Sequence, residues 1–186
     1  EHNCVSGIQL AHAGRKASCL RPWDGATSII KNNGPEDLWE TYAPSALAVN
    51  ENFQTPRELS IQNIEKIKSD FCDAAKRANE ANFEMLEIHG AHGYLLHSFF
   101  SPLSNHRSDK YGGTLENRML LPLEIVKDVR NVWPLNKPLF YRVSSSDYVE
   151  GGNTITENII LAQALADLGV DIIDCSSGGI SGSPIL

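Results

Sequence analysis

The chain has 186 residues, a formal net charge of −7, an apolar fraction of 41% and a charged fraction of 21%. This composition is typical of one ordinary globular domain and gives no sign of a disordered chain. The negative charge, with no Lys or Arg cluster to offset it, argues against a nucleic-acid partner and favours a small neutral or anionic substrate.

Cysteine spacing and hydropathy set the expected compartment. The four cysteines have no Cys-x-x-Cys spacing, so we expect neither a disulfide framework nor a zinc ribbon, and we expect a reducing, cytoplasmic setting. The sequence shows no apolar signal region and no run of about 18 apolar residues, so no membrane partner is expected. The only methionines are Met85 and Met119. Without an initiating Met, the chain is expected to be a piece of a longer protein.

The N-terminal third predicts one strand and a long loop. Residues 1–7 are typical of a helix end and its turn, and GIQLAHAGRK then predicts a strand with Ile8 and Leu10 buried and Gln9 on the opposite face. An amide pointing into a barrel interior needs partners for its oxygen and its nitrogen, which a polar ligand or neighbouring backbone could supply. Residues 16–59 show no helical period, which predicts a long ordered loop such as a lid over a site.

A helix is predicted from the N-cap Ser60 to about Ala81, with Asn82 as a left-handed terminator. Its apolar stripe has helical spacing and comprises Ile64, Ile67, Phe71, Ala74, Ala75 and Ala78. The apolar residues 85–88 then predict a buried parallel strand, which completes a strand-helix-strand unit.

His89, His92 and Tyr94 follow this strand directly. The carboxyl end of a parallel strand is where substrates bind in α/β proteins, so we expect the chemistry here. Two imidazoles that converge on one oxygen suit a substrate carbonyl that gains negative charge, and the phenol could supply a proton. Two alternatives stay open. The side chains could be satisfied within the fold, or His97 could complete a His-x2-His-x4-His zinc site, although that spacing alone is less specific than a catalytic zinc trio.

The rest of the chain continues the alternation of helices and strands. A second helix is predicted from residue 115 or 122 to 132, a third over residues 156–168, and a fourth strand in VDIIDCSSGG. In the loop before the second helix, charged residues are expected to pair with each other: Arg107, Asp109, Glu116 and Arg118.

The strand PLFYRVSSSD carries a charge on one of its faces. We expect Leu139, Tyr141 and Val143 on one face and Phe140, Arg142 and Ser144 on the other. A guanidinium aimed into a barrel centre requires an anion or polar ligand, or else a structural salt bridge.

Four strands alternating with three helices predict an α/β fold. A TIM (β/α)8 barrel needs eight strands and about 250 residues. We therefore expect residues 1–186 to form only the central four strands and their helices, a partial barrel domain truncated at both ends.

The segment HGAHGYLLHSFFSPLSNHRSDKYGGTLENR, residues 89–118, resembles the old yellow enzyme family of FMN-dependent ene-reductases. The histidine at position 92 points to the thermophilic-like branch. The resemblance implies FMN and NAD(P)H as cofactors, with hydride passing from NAD(P)H through FMN to the activated C=C bond of an α,β-unsaturated carbonyl or nitro compound. It implies that His89 and His92 hold the substrate oxygen and that Tyr94 protonates the α-carbon. It also assigns Gln9, in a Gln-Leu-x-x-x-Gly-Arg motif, and Arg142 to FMN binding, with no metal.

Two other functions are kept as alternatives. One is a non-catalytic partial barrel that acts as a binding module, and the other is a metal-dependent barrel hydrolase that uses His89, His92 and His97. The expected partner is a small-molecule enone or similar activated alkene, and a homo-oligomer is left open. Because four strands leave two open edges, we expect the chain alone to bind FMN weakly and to be inactive.

Overall fold

The computed structural model of the chain describes residues 4–25, 27–29 and 39–181. In chain order, the strands are β1 (Gly7–Leu10), β2 (Tyr42–Ala43), β3 (Arg57–Glu58), β4 (Met85–Gly90), β5 (Leu139–Ser144) and β6 (Ile172–Ser176). The α-helices are α1 (Ile61–Glu80), α2 (Leu95–Phe100), α3 (Leu115–Val132) and α4 (Ile155–Asp167). Short 3-10 helices cover Gly14–Lys16 and Pro22–Asp24.

A four-stranded parallel sheet in the order β1-β4-β5-β6 organises the molecule. Strands that neighbour each other in the sheet follow each other in the chain, with α1, α3 and α4 in the connections between them. This is the repeating unit of a (β/α)8 barrel, and the sheet carries the four strands that the sequence predicts. The short strands β2 and β3 form a separate parallel pair within the long loop.

The two faces of the sheet differ in chemistry, because successive side chains of a strand alternate between faces. The face under the helices is apolar, and the most buried members of its core, at most 3% exposed, include Leu86, Ile88, Leu139, Tyr141 and Val143. The strand register places polar side chains side by side on the opposite face, namely Gln9, Glu87, His89, Arg142 and Asp174. We call these five residues the polar face.

Helix starts follow local capping chemistry. The side-chain oxygens of Ser60, Thr114 and Thr154 each accept a hydrogen bond from the third residue of the helix that follows. Asn82 has φ +63°, so the predicted left-handed terminator of α1 is confirmed. The apolar stripe of α1 is buried as predicted except for Ala74, which is half-buried.

Replacing Ser60 with Ala should lower the free energy of unfolding by about 1 kcal/mol, because the N–H of Asn63 loses its acceptor. The matched control is Ser69→Ala at an exposed position inside α1, where Ala has the higher helix propensity and the change should be near zero or slightly stabilising. Urea unfolding of the two variants beside the parent chain measures both effects. Equal losses in the two variants would show that the cap contributes nothing.

Four details of the predicted fold outside the candidate site were wrong. No helix precedes β1 at residues 4–6, and residues 1–3 lie outside the described part of the chain. Ile8 and Leu10 are only half-buried, because β1 is an edge strand of the sheet. Residues 95–100, expected to be loop, form α2. All six of its residues are buried, so the sequence shows no alternation of polar and apolar residues there.

The fourth error concerns the loop charges. Arg107 pairs with Asp109 as expected. Arg118 instead pairs at 3.0 Å with Glu157, because its position on α3 faces α4. The long loop over residues 16–59 has no α-helix in its described part, as predicted, and residues 26 and 30–38 lie outside the description. No helix among the described residues is long and apolar enough to span a membrane.

Candidate active site

The connection from β4 to α2 brings the predicted catalytic residues together. His89 is the second-last residue of β4, not a residue beyond the strand as predicted, and its ring is buried. His92 lies in the connection with φ +59°, a conformation that is strained for a residue with a side chain. The N–H of His92 donates to Ser144 Oγ at 2.9 Å, and its carbonyl accepts from Lys16 Nζ at 2.8 Å. Hydrogen bonds to its N–H and to its carbonyl therefore hold His92 in this strained conformation.

The hydrogen bonds of the two imidazoles define their tautomers. His89 Nδ1 accepts from the N–H of Ala91 at 3.0 Å, so this nitrogen carries no proton. A neutral His89 then has its proton on Nε2, which lies 3.2 Å from His92 Nδ1. His92 in turn has its proton on Nε2, 2.5 Å from Ser176 Oγ. The hydrogen bonds therefore run in one direction, from His89 to His92 and from His92 to Ser176. The Nε2–H of His92 points away from His89.

Burial keeps both rings neutral. It lowers the pKa of His89 to about 4, with a further contribution from the neighbouring His92 and then Arg142. Burial also lowers the pKa of His92, followed by the positive charge of Arg142. Near neutral pH, the site therefore offers N–H donors of uncharged imidazoles, which do not lose their proton arrangement to small pH changes.

The lowered pKa of His89 predicts a pH dependence of stability. Between about pH 6.5, the ordinary pKa, and about pH 4, the unfolded chain binds more protons than the folded one. The free energy of unfolding should therefore fall as the pH is lowered through this range, by at most about 1.4 kcal/mol per pH unit for one proton. His89→Asn keeps an acceptor for the N–H of Ala91 and removes the titrating group, so this variant should lose less stability over the same range. Urea unfolding at several pH values measures this difference. If the free energy of unfolding falls equally steeply with pH in the parent and in the variant, His89 is not neutral in the folded chain as inferred.

Tyr94 completes the predicted trio. Its ring lies 4.9 Å from the ring of His89 and is tilted by 46°. Tyr94 is half-buried and occupies the N-cap position of α2, where its N–H bonds to the carbonyl of Ala91. The phenol thus lies beside the imidazoles and keeps contact with solvent, which a proton donor needs in order to be reloaded.

The predicted cofactor residues lie on the polar face of the sheet. Gln9 is exposed, and its amide nitrogen donates to Glu87 Oε1 at 2.6 Å. Arg142 pairs through Nε with Asp174 Oδ2 at 3.1 Å, so the salt bridge that the sequence left open is present. The side chains of this pair remain 34% and 40% exposed. The amide of Gln9 and the guanidinium of Arg142 are thus open to a ligand on the polar face. Together they fit a planar ligand with carbonyl and ring-nitrogen edges.

His97 does not join the other two histidines. It is fully buried in α2, where Nδ1 accepts from the N–H of Gly93 at 2.8 Å and Nε2 faces Asp147 Oδ1 at 2.7 Å. Both ring nitrogens are therefore engaged inside the protein, and the proposed zinc trio loses its third ligand. Within residues 4–25, 27–29 and 39–181, no group of three or more His, Cys, Asp or Glu side chains is arranged to hold a metal.

Sequence reasoning missed three residues around the trio: Lys16, Ser144 and Ser176. Lys16 Nζ bonds to the carbonyls of both His92 and Gly179, and burial, followed by the neighbouring Arg15, lowers its pKa to about 8. The two serines lie at the last positions of β5 and β6. The sequence did contain a signal for these two serines, because each lies at the carboxyl end of a predicted parallel strand, where ligands bind in α/β proteins.

Comparison with known proteins decides the family. A model described as the NADH:flavin oxidoreductase / NADH oxidase family matches residues 1–181. The chain belongs to this family. The description names NADH and a flavin, the two cofactor classes that the resemblance of residues 89–118 implied, so the predicted family is confirmed.

Curated relatives within the NADH:flavin oxidoreductase family are close in sequence. The NADPH dehydrogenase of Bacillus subtilis is 47% identical over 180 residues, which are 97% of this chain and 47% of that protein. The NADPH dehydrogenase of Clostridium acetobutylicum is 46% identical over 176 residues, 94% of this chain and 46% of that protein. The chain thus spans about half the length of the curated relatives it matches.

Solved structures of similar proteins share the architecture. Morphinone reductase matches with a TM-score of 0.72 and 27% identity, over 91% of this chain and 46% of that chain. The old yellow enzyme homologue from Zymomonas mobilis matches with a TM-score of 0.70 and 26% identity, over 90% of this chain and 46% of that chain. The predicted fold class is confirmed: the described sheet and helices are four parallel strands and the three connecting helices of a TIM barrel.

Proposed function

We propose that this chain supplies the substrate-binding and FMN-contacting half of an ene-reductase, which transfers hydride from NAD(P)H through FMN to the activated C=C bond of an α,β-unsaturated carbonyl or nitro compound. The observation that carries the proposal is the cluster of two neutral imidazoles and a phenol beside the polar face. Neutral N–H donors stabilise an oxygen that becomes negative during a reaction. A phenol next to them can donate the proton that the product needs.

The substrate oxygen would take the place of Ser176 Oγ as acceptor of the His92 Nε2–H. That N–H is polarised by the hydrogen bond that His92 Nδ1 receives from His89. We propose that His89 Nε2–H also turns to the substrate oxygen once this oxygen carries negative charge. Tyr94 then donates its phenolic proton to the α-carbon and recovers a proton from solvent.

Gln9 and Arg142 would hold the flavin. The guanidinium of Arg142 offers fixed N–H donors for an edge that becomes negative on reduction, and the amide of Gln9 offers both a donor and an acceptor. Asp174 and Glu87 orient these two side chains across the polar face. When bound, FMN supplies the hydride that this arrangement directs to the alkene.

The test uses an exchange protein, defined as the Bacillus subtilis relative in which the matching segment is replaced by this chain. Identity of 47% makes this replacement feasible, and the unchanged relative measured in parallel shows any loss that comes from joining two sequences. We expect the exchange protein to bind FMN stoichiometrically and to reduce cyclohexenone with NADPH. The 186-residue chain expressed alone should bind little FMN, because open sheet edges and the polar face remain uncovered.

Two results would contradict the proposal. An exchange protein that binds FMN and is reduced by NADPH, but transfers no hydride to enones or nitroalkenes, would favour another acceptor. A chain that binds no FMN in either form would favour the binding-module alternative.

A further inference from the structure

A buried hydrogen-bond network lies behind the predicted catalytic turn. His97 and Asp147 are 0% and 1% exposed. One carboxylate oxygen of Asp147 faces His97 Nε2, and the other accepts from Ser101 Oγ at 2.7 Å and from the N–H of Asn153 at 2.8 Å. Three donors therefore hold this carboxylate in the β5–α4 connection.

The far side of the imidazole holds the turn itself. Because the N–H of Gly93 can only donate, His97 Nδ1 is unprotonated and its proton lies on Nε2, towards Asp147. Ser98 Oγ donates to the carbonyl of Gly93 at 3.0 Å. The backbone N–H and the carbonyl of Gly93 are thus both held by side chains of α2.

Gly93 is also the residue whose conformation places its neighbours. It has φ +73° and follows His92 at φ +59°, so two consecutive left-handed residues reverse the chain between His89 and Tyr94. A Cβ at Gly93 would lie 2.4 Å from the carbonyl oxygen of Gly179. The turn therefore has no room to relax towards the loop after β6, and its other boundary is His97.

We propose that His97 and Asp147 form a positioning pair for the reaction: Asp147 holds His97 in the Nε2–H tautomer, and His97 Nδ1 thereby fixes the Gly93 N–H and the placement of His92 and Tyr94. The inference rests on the proposed function for its effect on turnover, but its structural half stands without it. Neither residue touches the substrate. Misplacement of reacting groups by about 1 Å from such a position can cost about 10²-fold in rate.

Two substitutions separate this role from simple core packing. His97→Asn places an oxygen where His97 Nδ1 lies and can still accept from Gly93, whereas His97→Gln places its amide near Nε2 and can still donate to Asp147. Each variant keeps one of the two hydrogen bonds. A packing role predicts similar defects, and a positioning role predicts that His97→Asn is tolerated and His97→Gln is not.

The first readout needs no activity. In the 15N-labelled chain, two-bond N–H correlation spectra should show His97 as the Nε2–H tautomer. The Gly93 amide should be protected from hydrogen exchange in the parent chain and in His97→Asn, and exposed in His97→Gln. A His97 with its proton on Nδ1, or an unprotected Gly93 amide in the parent, would overturn the proposal.

The second readout is turnover in the flavin-loaded exchange protein. His97→Gln should lower kcat for cyclohexenone by about 10²-fold, while flavin reduction by NADPH stays near normal. His97→Asn should stay within about threefold of the parent. Ser98→Ala, a milder change that removes only the hydrogen bond to the carbonyl of Gly93, should cost about 10-fold, the value of one hydrogen bond. Equal losses in His97→Asn and His97→Gln, or none in either and none in Ser98→Ala, would refute the positioning role.

The two readouts also separate this inference from the proposed function. If the unchanged exchange protein reduces no alkene while the tautomer and the Gly93 protection follow the pattern above, the ene-reductase proposal fails and the positioning pair stands.

Discussion

Replacing Tyr94 with Phe in the exchange protein is expected to slow alkene reduction by about 10²-fold to 10⁴-fold, the usual effect of removing a general acid. The change removes one oxygen and leaves the ring that packs 4.9 Å from His89. Flavin reduction by NADPH should stay near normal, because the phenol has no part in that half-reaction. Stopped-flow measurement of each half-reaction separates the two rates.

Tyr148→Phe is the matched control for this prediction. Tyr148 is 62% exposed in the connection after β5, so loss of its hydroxyl should leave both half-reactions unchanged. Strongly activated nitroalkenes need less help from an acid, and the effect of Tyr94→Phe should shrink with them. If both half-reactions slow equally with every substrate, the phenol contributes to packing and not to proton transfer.

The fold could be predicted where the sequence repeats a local pattern. α1 and its Asn82 terminator follow from a long amphipathic stripe and a residue suited to left-handed backbone, both of which act over a few neighbouring residues. α2 could not be predicted in the same way. It is short and wholly buried, so tertiary packing, which the local sequence does not encode, decides its conformation.

The candidate site likewise contains residues that are close in sequence and could be predicted, and partners that are distant in sequence and could not. His89, His92 and Tyr94 lie within six residues, so a single turn after a predicted strand was enough to bring them together. Ser176 lies 84 positions from His92, and Asp147 lies 50 positions from His97. Such partners depend on which strands become neighbours in the sheet. The sequence indicated that Arg142 needs a partner, and the β5–β6 register then supplied Asp174.

Replacing either His89 or His92 with Ala in the exchange protein is expected to slow alkene reduction by about 10²-fold to 10³-fold, the usual effect of losing one oxyanion donor. Binding of phenol-type ligands, which present an oxygen to the same N–H groups, should weaken in both variants. Flavin reduction by NADPH should suffer less. His106→Ala, at an exposed position in the loop after α2, is the matched control and should change neither rate.

The direction of the hydrogen bonds between the imidazoles makes the comparison between the two variants informative. His92 directs its Nε2–H away from the pair, whereas His89 directs its Nε2–H at His92 Nδ1. If both imidazoles reach the substrate oxygen in the transition state, the two single losses should be similar, and the double variant should lose less than their product because the residues are coupled. If His89 acts only by polarising His92, its loss should be several-fold smaller and should vanish in the His92→Ala background. Alkene reduction that survives both replacements would contradict the oxyanion role of the two histidines.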